Sequence, residues 1–259
     1  FANDAQRAQW LHPLLHGEIR SAFAMSEPDV ASSDPTNLQT TVRREGDALV
    51  VSGRKWFITG AAHPHCRLLI VMCRNAAAED GSADDAHRRH SMVLVPLDTP
   101  GVQVLRNIPV LHHHAPEGHC EILLQNVRVP QTSLLGAWGA GFAMAQARLG
   151  PGRVHHCMRT IGQCELALQL AAERTLERQM FGRYESEFSN VQDWLAESRI
   201  EIDQARLLVL HTAWLLDQGE AVDIATTRAQ VAAIKVVAAR LQSRVVDRAM
   251  QVFGAMGLS

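Results

Sequence analysis

The chain has little of what marks several large protein classes. Lysine occurs only at Lys55 and Lys235, so arginine supplies nearly all of its 25 basic residues. Genomic base composition is the simpler reading of that bias; a phosphate-binding specialisation would need a cluster. The formal net charge is −2 and no basic stripe appears, which argues against a nucleic-acid binder. No run approaches the ~18 apolar residues of a membrane-spanning helix. Five cysteines, Cys66, Cys73, Cys120, Cys157 and Cys164, form no C-x-x-C pair. Their odd number predicts reduced thiols in a cytosolic-type compartment, not a disulfide framework. There is no internal repeat and no low-complexity tract.

Metal-binding patterns are also missing. His112, His113, His114 and His119 are dense, and His155 and His156 add a pair. Three consecutive residues cannot all face one ion from a regular strand, and the spacing matches no zinc motif. Asp80, Asp84 and Asp85 do not fit a calcium loop. Polar loop or interface histidines and a solvated acidic loop are expected, with no metal.

What is present suggests a globular protein. At 259 residues, 47% of them hydrophobic, the chain can bury one large or two modest cores. Residues 1–20 carry Ala8, Leu11, Leu14 and Leu15 at helical spacing, interrupted by Pro13. They read as the end of a helical domain and a connection, so the sequence is expected to be an internal piece of a longer polypeptide. From Ser21 to Gly136 short β-type runs alternate with polar turns: Ala48–Val51, Trp56–Thr59, Leu68–Cys73, Met92–Leu97, Gly101–Ile108 and Glu121–Val129. That rhythm predicts an antiparallel β domain. The polar stretch Asn75–His90 reads as a mobile surface loop. Beyond Pro130 the texture is helical. Gly136–Gly141 reads as a hinge, and Gly150-Pro151-Gly152 as a turn that starts a long helix near Arg153. Three segments show core-facing periodicity: Val154, Met158, Ile161 and Leu168; Leu195, Ile202, Ala205 and Val209; then Val231, Ile234, Ala238, Leu241, Val245 and Val252. Joints at Phe181–Asn190 and Gln218–Val222 would fold them into an up-down bundle, with a fourth helix expected beyond Ser259.

Two segments carry the chemistry. In FAMSEPDVASSD (Phe23 to Asp34), Pro28 and Pro35 shape a loop, and Ser26, Ser32 and Ser33 offer hydroxyls for carbonyl edges or phosphate oxygens. In GRKWFITG (Gly53 to Gly60), Trp56, Phe57 and Ile58 form an apolar run and Thr59 adds a hydroxyl. A ring and a hydroxyl can serve one face and one edge of a flat heterocycle. A strand-edge aromatic and a Ser-rich turn are the plainer alternative for either segment alone.

In this order and spacing the pair resembles the flavin-binding signature of the acyl-CoA dehydrogenase family. GAGFAMAQARLGPGR (Gly139 to Arg153) is similar to that family's entry into its helical bundle. ERQMFGR (Glu177 to Arg183) resembles its E-R-x-x-F-G, and QVFGAMG (Gln251 to Gly257) its Q-x-x-G-G-x-G. The wording of EPDVASSD and RLGPGRVHHCMR resembles a subfamily fused in animals to a phosphotransferase-like kinase and linked to longer or 4-hydroxylated acyl chains. The chain departs from the family where VASSD carries one extra residue, where Gly60 replaces Asn, where Gly150 replaces an acid, at Phe188-Ser189, and at Gly254-Ala255.

The resemblance implies an α+β multidomain fold: an antiparallel, barrel-like middle domain followed by an up-down four-helix bundle, here cut short. Residues 1–20 would end an N-terminal helical domain, 21–136 would form the middle domain and 137–259 the truncated bundle. FAD is the implied cofactor. Phe23, Ala24, Met25 and Ser26 would border the flavin edge, with Phe57 stacked on the ring, Ile58 beside it and Thr59 at N5. Ser33, or Ser32, would lie near the pyrophosphate and the acyl-CoA. Arg178, Phe181, Phe188, Gln251 and Gly254 would reach the FAD of a neighbouring subunit in a homodimer or homotetramer. Gly150 and Arg153 would face the acyl-CoA. The implied activity is α,β-desaturation of a fatty acyl-CoA, with electrons passed to an electron-transfer flavoprotein. An oxygen-using acyl-CoA oxidase and a flavin-free scaffold subunit are the alternatives. The catalytic carboxylate is expected beyond Ser259, so that this chain alone would not turn over. A bacterial cytoplasm, or a mitochondrion or peroxisome in a eukaryote, is the expected location.

Overall fold

The computed structural model of the chain describes residues 1–76 and 85–259. It divides into two compact units, residues 1–146 and 147–259. Half of the stretch read as a surface loop, residues 77–84 with Asp80 and Asp84, lies outside the described residues.

The first unit opens with short helical turns. Asn3 caps α1 (Asp4–Gln6), a π-helical turn (Arg7–Leu11) follows, and α2 (His12–Leu15) ends the segment. Gln6 donates through its side chain to the Thr132 and Leu134 carbonyls at 2.7 and 2.8 Å. That ties the opening segment to the far end of the β region.

Eight strands follow: β1 (Arg20–Ala24), β2 (Thr41–Glu45), β3 (Ala48–Thr59), β4 (Cys66–Asn75), β5 (His90–Pro96), β6 (Val102–Asn107), β7 (His119–Pro130) and β8 (Leu134–Leu135). Their hydrogen-bonded order is β6-β7-β3-β2-β4-β5-β8, with β1 beside β4. The expected order of a β domain followed by helices holds, and what is corrected is the all-antiparallel, barrel-like form of the β domain. β1 and β2 both run parallel to β4, so the sheet is mixed. Among the described residues β6 and β8 do not pair, and no barrel closes. Alternation of apolar residues reports which side a residue faces and is silent on the direction of the neighbouring strand.

Two runs expected as separate strands are the ends of the single strand β3. The polar residues between them stay extended because Gly53 sits against β2's approach: a Cβ there would lie 2.6 Å from Thr40 Cα. Register shifts at Val51/Gly53 and Lys55/Ile58 bulge β3 against β7. Phe23 and Ala24, read as loop, end β1 instead. The core gathers Val42, Leu49, Val51, Ile58, Leu69, Val71, Val93, Val95, Ile122 and Leu124.

The first long helix, α3 (Gly141–Glu177), starts earlier than Gly150–Arg153 and runs through Pro151. Proline removes one N–H from the helix ladder. Packing on both sides of it compensates. Met144 and Ala145 join Leu38, Met72 and Met92 in the first unit, while Cys157, Ile161 and Cys164 are buried in the second. Local turn chemistry therefore loses to tertiary burial.

In the second unit a hairpin of β9 (Gln179–Met180) and β10 (Arg183–Tyr184) leads to α4 (Ser189–Asp217), and α5 (Ile224–Phe253) follows. Ile202, Ala205 and Val209 of α4 meet Ile234, Ala238, Leu241 and Val245 of α5 and Ile161 of α3. The spacing read from the sequence thus marks the buried faces. Cys157 and Cys164 pack in this core, and burial pushes the Cys164 thiol up to about 11. Arg199 grips Glu165 with two parallel bonds of 2.7 and 2.8 Å, and Arg206 adds a third contact. Their hydrogen bonds hold the Glu165 carboxyl down at about 2 against its burial. No helix among the described residues is long and apolar enough to cross a membrane.

The most buried charge pair in the first unit is Lys55 with Glu27, at 2.8 Å and with side chains 0% and 3% exposed. Replacing Glu27 by Gln leaves a buried ammonium without its anion and should cost about 3–5 kcal/mol in urea unfolding. Burial alone would raise the Glu27 carboxyl, but the Lys55 charge and bonds from Lys55, Thr40 and Gln39 hold it below its ordinary value of 4.5. Its contribution is therefore present above about pH 4.5 and lost as pH falls through the lowered folded value. The Glu27→Gln protein should show a flatter acid limb in unfolding midpoints measured against pH. Wild-type stability and an unchanged limb would refute this.

Candidate functional site

The segment between β1 and β2 is a loop held by one buried carboxylate. Glu27 Oε2 accepts the Gln39 N–H at 2.7 Å, and Oε1 accepts the Thr40 N–H at 2.9 Å. Both ends of the loop are thereby drawn onto one side chain. Lys55, on β3, donates to Glu27 Oε1 and to the carbonyls of Met25 and Met72 at 2.8, 2.9 and 2.7 Å. An ammonium has three donors, and all are used. The neighbouring Cys73 thiol is pushed by burial up to about 12 and stays protonated.

Within the loop, Ser32 Oγ accepts the Glu27 N–H at 2.8 Å and closes the turn. Asp34 caps the next turn by accepting the Thr36 N–H and hydroxyl at 3.0 and 2.6 Å. Ser33 is exposed, and its hydroxyl has no partner among the described residues. Of the two candidate serines, Ser33 is the one open to a ligand.

The Trp56 N–H donates to the Ser26 carbonyl at 3.0 Å, which ties the loop to β3 where that strand bulges. Phe57 follows with φ at 50°, uncommon for a residue with a side chain. Its ring is 46% exposed and meets Trp56 edge-on at 4.9 Å. Ile58 is buried while Phe57 and Thr59 are exposed, so a ring and a hydroxyl two residues apart are both open to a ligand. Thr59 Oγ1 lies 2.9 Å from His119 Nδ1 on β7. Phe23 and Met25 are half-buried near Ile70, Leu135 and Phe142. The side chains of Ala24 and Ile58 are in the core, so only their backbones could meet a ligand.

The second unit gathers the other candidates at one end of its bundle. Arg178 Nη1 donates to the Val252 carbonyl at 2.9 Å and stands 3.8 Å from the buried Glu185 carboxylate. Gly254 ends α5 at φ 60°, and a Cβ there would come 3.7 Å from the Arg178 guanidinium. Phe181 and Gly182, both at positive φ, form the two-residue tip of the hairpin, as the twist of paired strands favours. The Phe181 ring is 93% exposed. Phe188 lies under the Arg183 guanidinium, 3.7 Å from its ring centre, and Gln251 is exposed. Gly150 and Arg153 sit inside α3, not in its first turn. Arg153 borders a shallow cleft between α3 and α5 with His156, Thr160, Lys235 and Gln242.

The Lys55–Glu27 clamp, the Thr59–His119 contact and Glu121, buried between Arg54 and Arg106, have no local signature in the sequence. The one usable signal was Lys55 itself, one of two lysines in a chain that otherwise uses arginine. Its partner stands 28 positions away, and no local pattern connects them. The histidine run forms a tight turn, with Leu111 and His112 at positive φ. Among the described residues no three His, Cys, Asp or Glu side chains gather as metal ligands do.

Comparison with known proteins bears on the whole arrangement. Residues 22–127 match the family model described as acyl-CoA dehydrogenase, middle domain, and residues 139–259 match acyl-CoA dehydrogenase, C-terminal domain. The chain is 54% identical, over its whole length, to the probable acyl-CoA dehydrogenase FadE2 of Mycobacterium tuberculosis, of which it spans 62%. It is 43% identical to the human acyl-CoA dehydrogenase family member 11 and spans 33% of that protein. A crystal structure of acyl-CoA dehydrogenase from Geobacillus kaustophilus superposes with a TM-score of 0.87 at 31% identity, covering 99% of this chain and 64% of that one. Through its middle and C-terminal domains, the chain belongs to the acyl-CoA dehydrogenase family.

Proposed function

We propose that the protein containing this chain is an FAD-dependent dehydrogenase that desaturates a fatty acyl-CoA between its α and β carbons. The observation that carries this reading is the outward pair Phe57 and Thr59, held beside the clamped loop by the β3 bulge. An exposed planar ring at positive φ, an exposed hydroxyl two residues on and the Ser33 hydroxyl, without a partner among the described residues, fit a flavin nucleotide. FAD, when bound, supplies the hydride-accepting chemistry.

The chain's own groups bind and orient. Phe57 stacks on the flavin ring, Thr59 meets its edge, and Phe23, Met25 and Ser26 border it. Ser33 serves the pyrophosphate and the acyl-CoA. Arg153 and Gly150 belong to the acyl-CoA side. Arg178, Phe181, Phe188, Gln251 and Gly254 serve the FAD of a second subunit in a homodimer or homotetramer. A 93% exposed Phe181 on a rigid hairpin tip supports this last assignment, because such a ring gains from being covered. An electron-transfer flavoprotein is the proposed electron acceptor.

Neither Glu27 nor Glu165 suits the role of α-proton base. Glu27 is buried and fully hydrogen-bonded, and Glu165 is held between two arginines. A general base must reach the proton with a free oxygen. We assign the base to a residue outside this chain.

The test uses the full-length protein. Purified protein should be yellow, and a saturated acyl-CoA added without oxygen should bleach it. A colourless preparation, or flavin indifferent to every acyl-CoA tried, would contradict the proposal. Thr59→Val keeps the shape and removes the donor. It should slow flavin reduction by about 1–3 kcal/mol, roughly 5- to 150-fold, and an unchanged single-turnover rate would remove Thr59 from the site. Arg178→Ala should lower FAD retention and weaken subunit association together, as read by flavin content and light scattering. A flavin-loaded wild-type monomer would contradict the shared-site assignment.

A further inference from the structure

Thr59 and His119 are the last pair in the register of β3 and β7. Their side chains meet at 2.9 Å, Oγ1 to Nδ1, two residues beyond the exposed Phe57. The main chain beneath the imidazole is held. The His119 backbone N–H donates to Asn107 Oδ1 at 2.8 Å, and the His119 carbonyl accepts the Ile108 N–H at 3.0 Å. Asn107 Nδ2 donates in turn to the Ala115 carbonyl at 3.1 Å, which fixes the amide. One residue back, the Gly118 carbonyl accepts the Gly60 N–H at 3.0 Å. The backbone on both sides of this contact is therefore pinned, and Nδ1 lies within hydrogen-bond distance of the hydroxyl.

A threonine hydroxyl has one proton to give. If Thr59 gives it to His119, the hydroxyl offers a ligand only lone pairs. If Nδ1 carries the proton, Oγ1 accepts from the imidazole and its own hydrogen is free to point outward. N5 of an oxidised flavin is an acceptor, so only the second arrangement serves it. Which ring nitrogen carries the proton is set by the partner the ring is given.

We propose that His119 is a positioning residue for the flavin edge: its Nδ1–H donates to Thr59 Oγ1 and so aims the Thr59 hydrogen at an acceptor on the bound ring. The proposal rests on the assignment of Thr59 to that edge. His119 need not touch flavin or substrate. Its effect passes through Thr59 and disappears when the Thr59 hydroxyl is absent.

The experiment takes the full-length, FAD-loaded protein and measures the midpoint potential of the bound flavin without substrate, then its reduction rate by acyl-CoA. The variants are Thr59→Val, His119→Phe, the double variant and His119→Asn. Thr59→Val and His119→Phe should shift the potential in the same direction and slow reduction by similar factors. The double variant should be within about twofold of Thr59→Val alone, since residues acting through one contact are not additive. His119→Asn, whose amide can offer an N–H near the place of Nδ1, should stay close to wild type. If His119→Phe does not fold, His119→Gln takes its place, because its amide lies toward Nε2. Nitrogen-15 NMR of the His119 ring in flavin-free protein gives a readout independent of activity: Thr59→Val should change the Nδ1 resonance. A Thr59→Val shift in potential with none from His119→Phe, or fully additive shifts, would overturn the role of His119 and leave the flavin-edge assignment standing. A Thr59→Val protein with unaltered potential would overturn that assignment and this proposal with it.

Discussion

The buried bond between Lys55 and Glu27 is the constraint on which the site depends. It joins a loop to the sheet at the point where the loop has no regular structure of its own. Glu27 collects the amides of Gln39 and Thr40, and Lys55 collects the carbonyls of Met25 and Met72. The result is a polar knot inside an apolar sheet, with every donor of the Lys55 ammonium used. Buried pairs seldom beat an apolar core in stability. What this one provides is position. The same strand that carries Lys55 carries Phe57 and Thr59, so the clamp that fixes the loop also fixes the face beside it. Gly53 makes the arrangement possible, since any side chain there would collide with Thr40.

The second unit uses a different device. Its helices are held by an apolar seam, and arginines on α4 and α5 add charge contacts, such as Arg199 to Glu165 and Arg244 to Glu201. Arginine suits this because a planar guanidinium can meet a carboxylate with two bonds at once, which lysine cannot. At the bundle end, Arg178 binds the close of α5 through the Val252 carbonyl while the hairpin it precedes displays Phe181. One arginine thus joins the end of one helix to the base of an exposed aromatic.

The parts of this molecule that were legible in its sequence are those governed by local period. The seam of α3, α4 and α5 followed from steps of three, four and seven, and most strands from short apolar runs. Strand direction was not legible, because β1 and β2 reach β4 through long-range pairing that leaves no local trace. The start of α3 was misread because Gly150-Pro151-Gly152 resembles a turn, whereas burial of Met144 and Ala145 keeps the chain helical before it. In the site, Phe57, Thr59 and the serine loop stood out by motif. Glu27 and Lys55 lay within the same two segments, but their pairing did not show, and His119 lay outside them, since each acquires its role from a partner distant in sequence. Ser32 and Ser33 were indistinguishable until the loop geometry committed the Ser32 hydroxyl to the Glu27 amide.

The most direct test of this account is amide hydrogen exchange in the Glu27→Gln protein. If the clamp positions the face, exchange should accelerate at Gln39, Thr40 and Trp56, whose amides are tied to Glu27 or to its loop. Core amides of β4 and β5, such as those of Val71 and Val93, should keep their protection. Unchanged exchange at the loop amides, or uniform acceleration across the sheet, would contradict the claim that this one bond sets the position of the site.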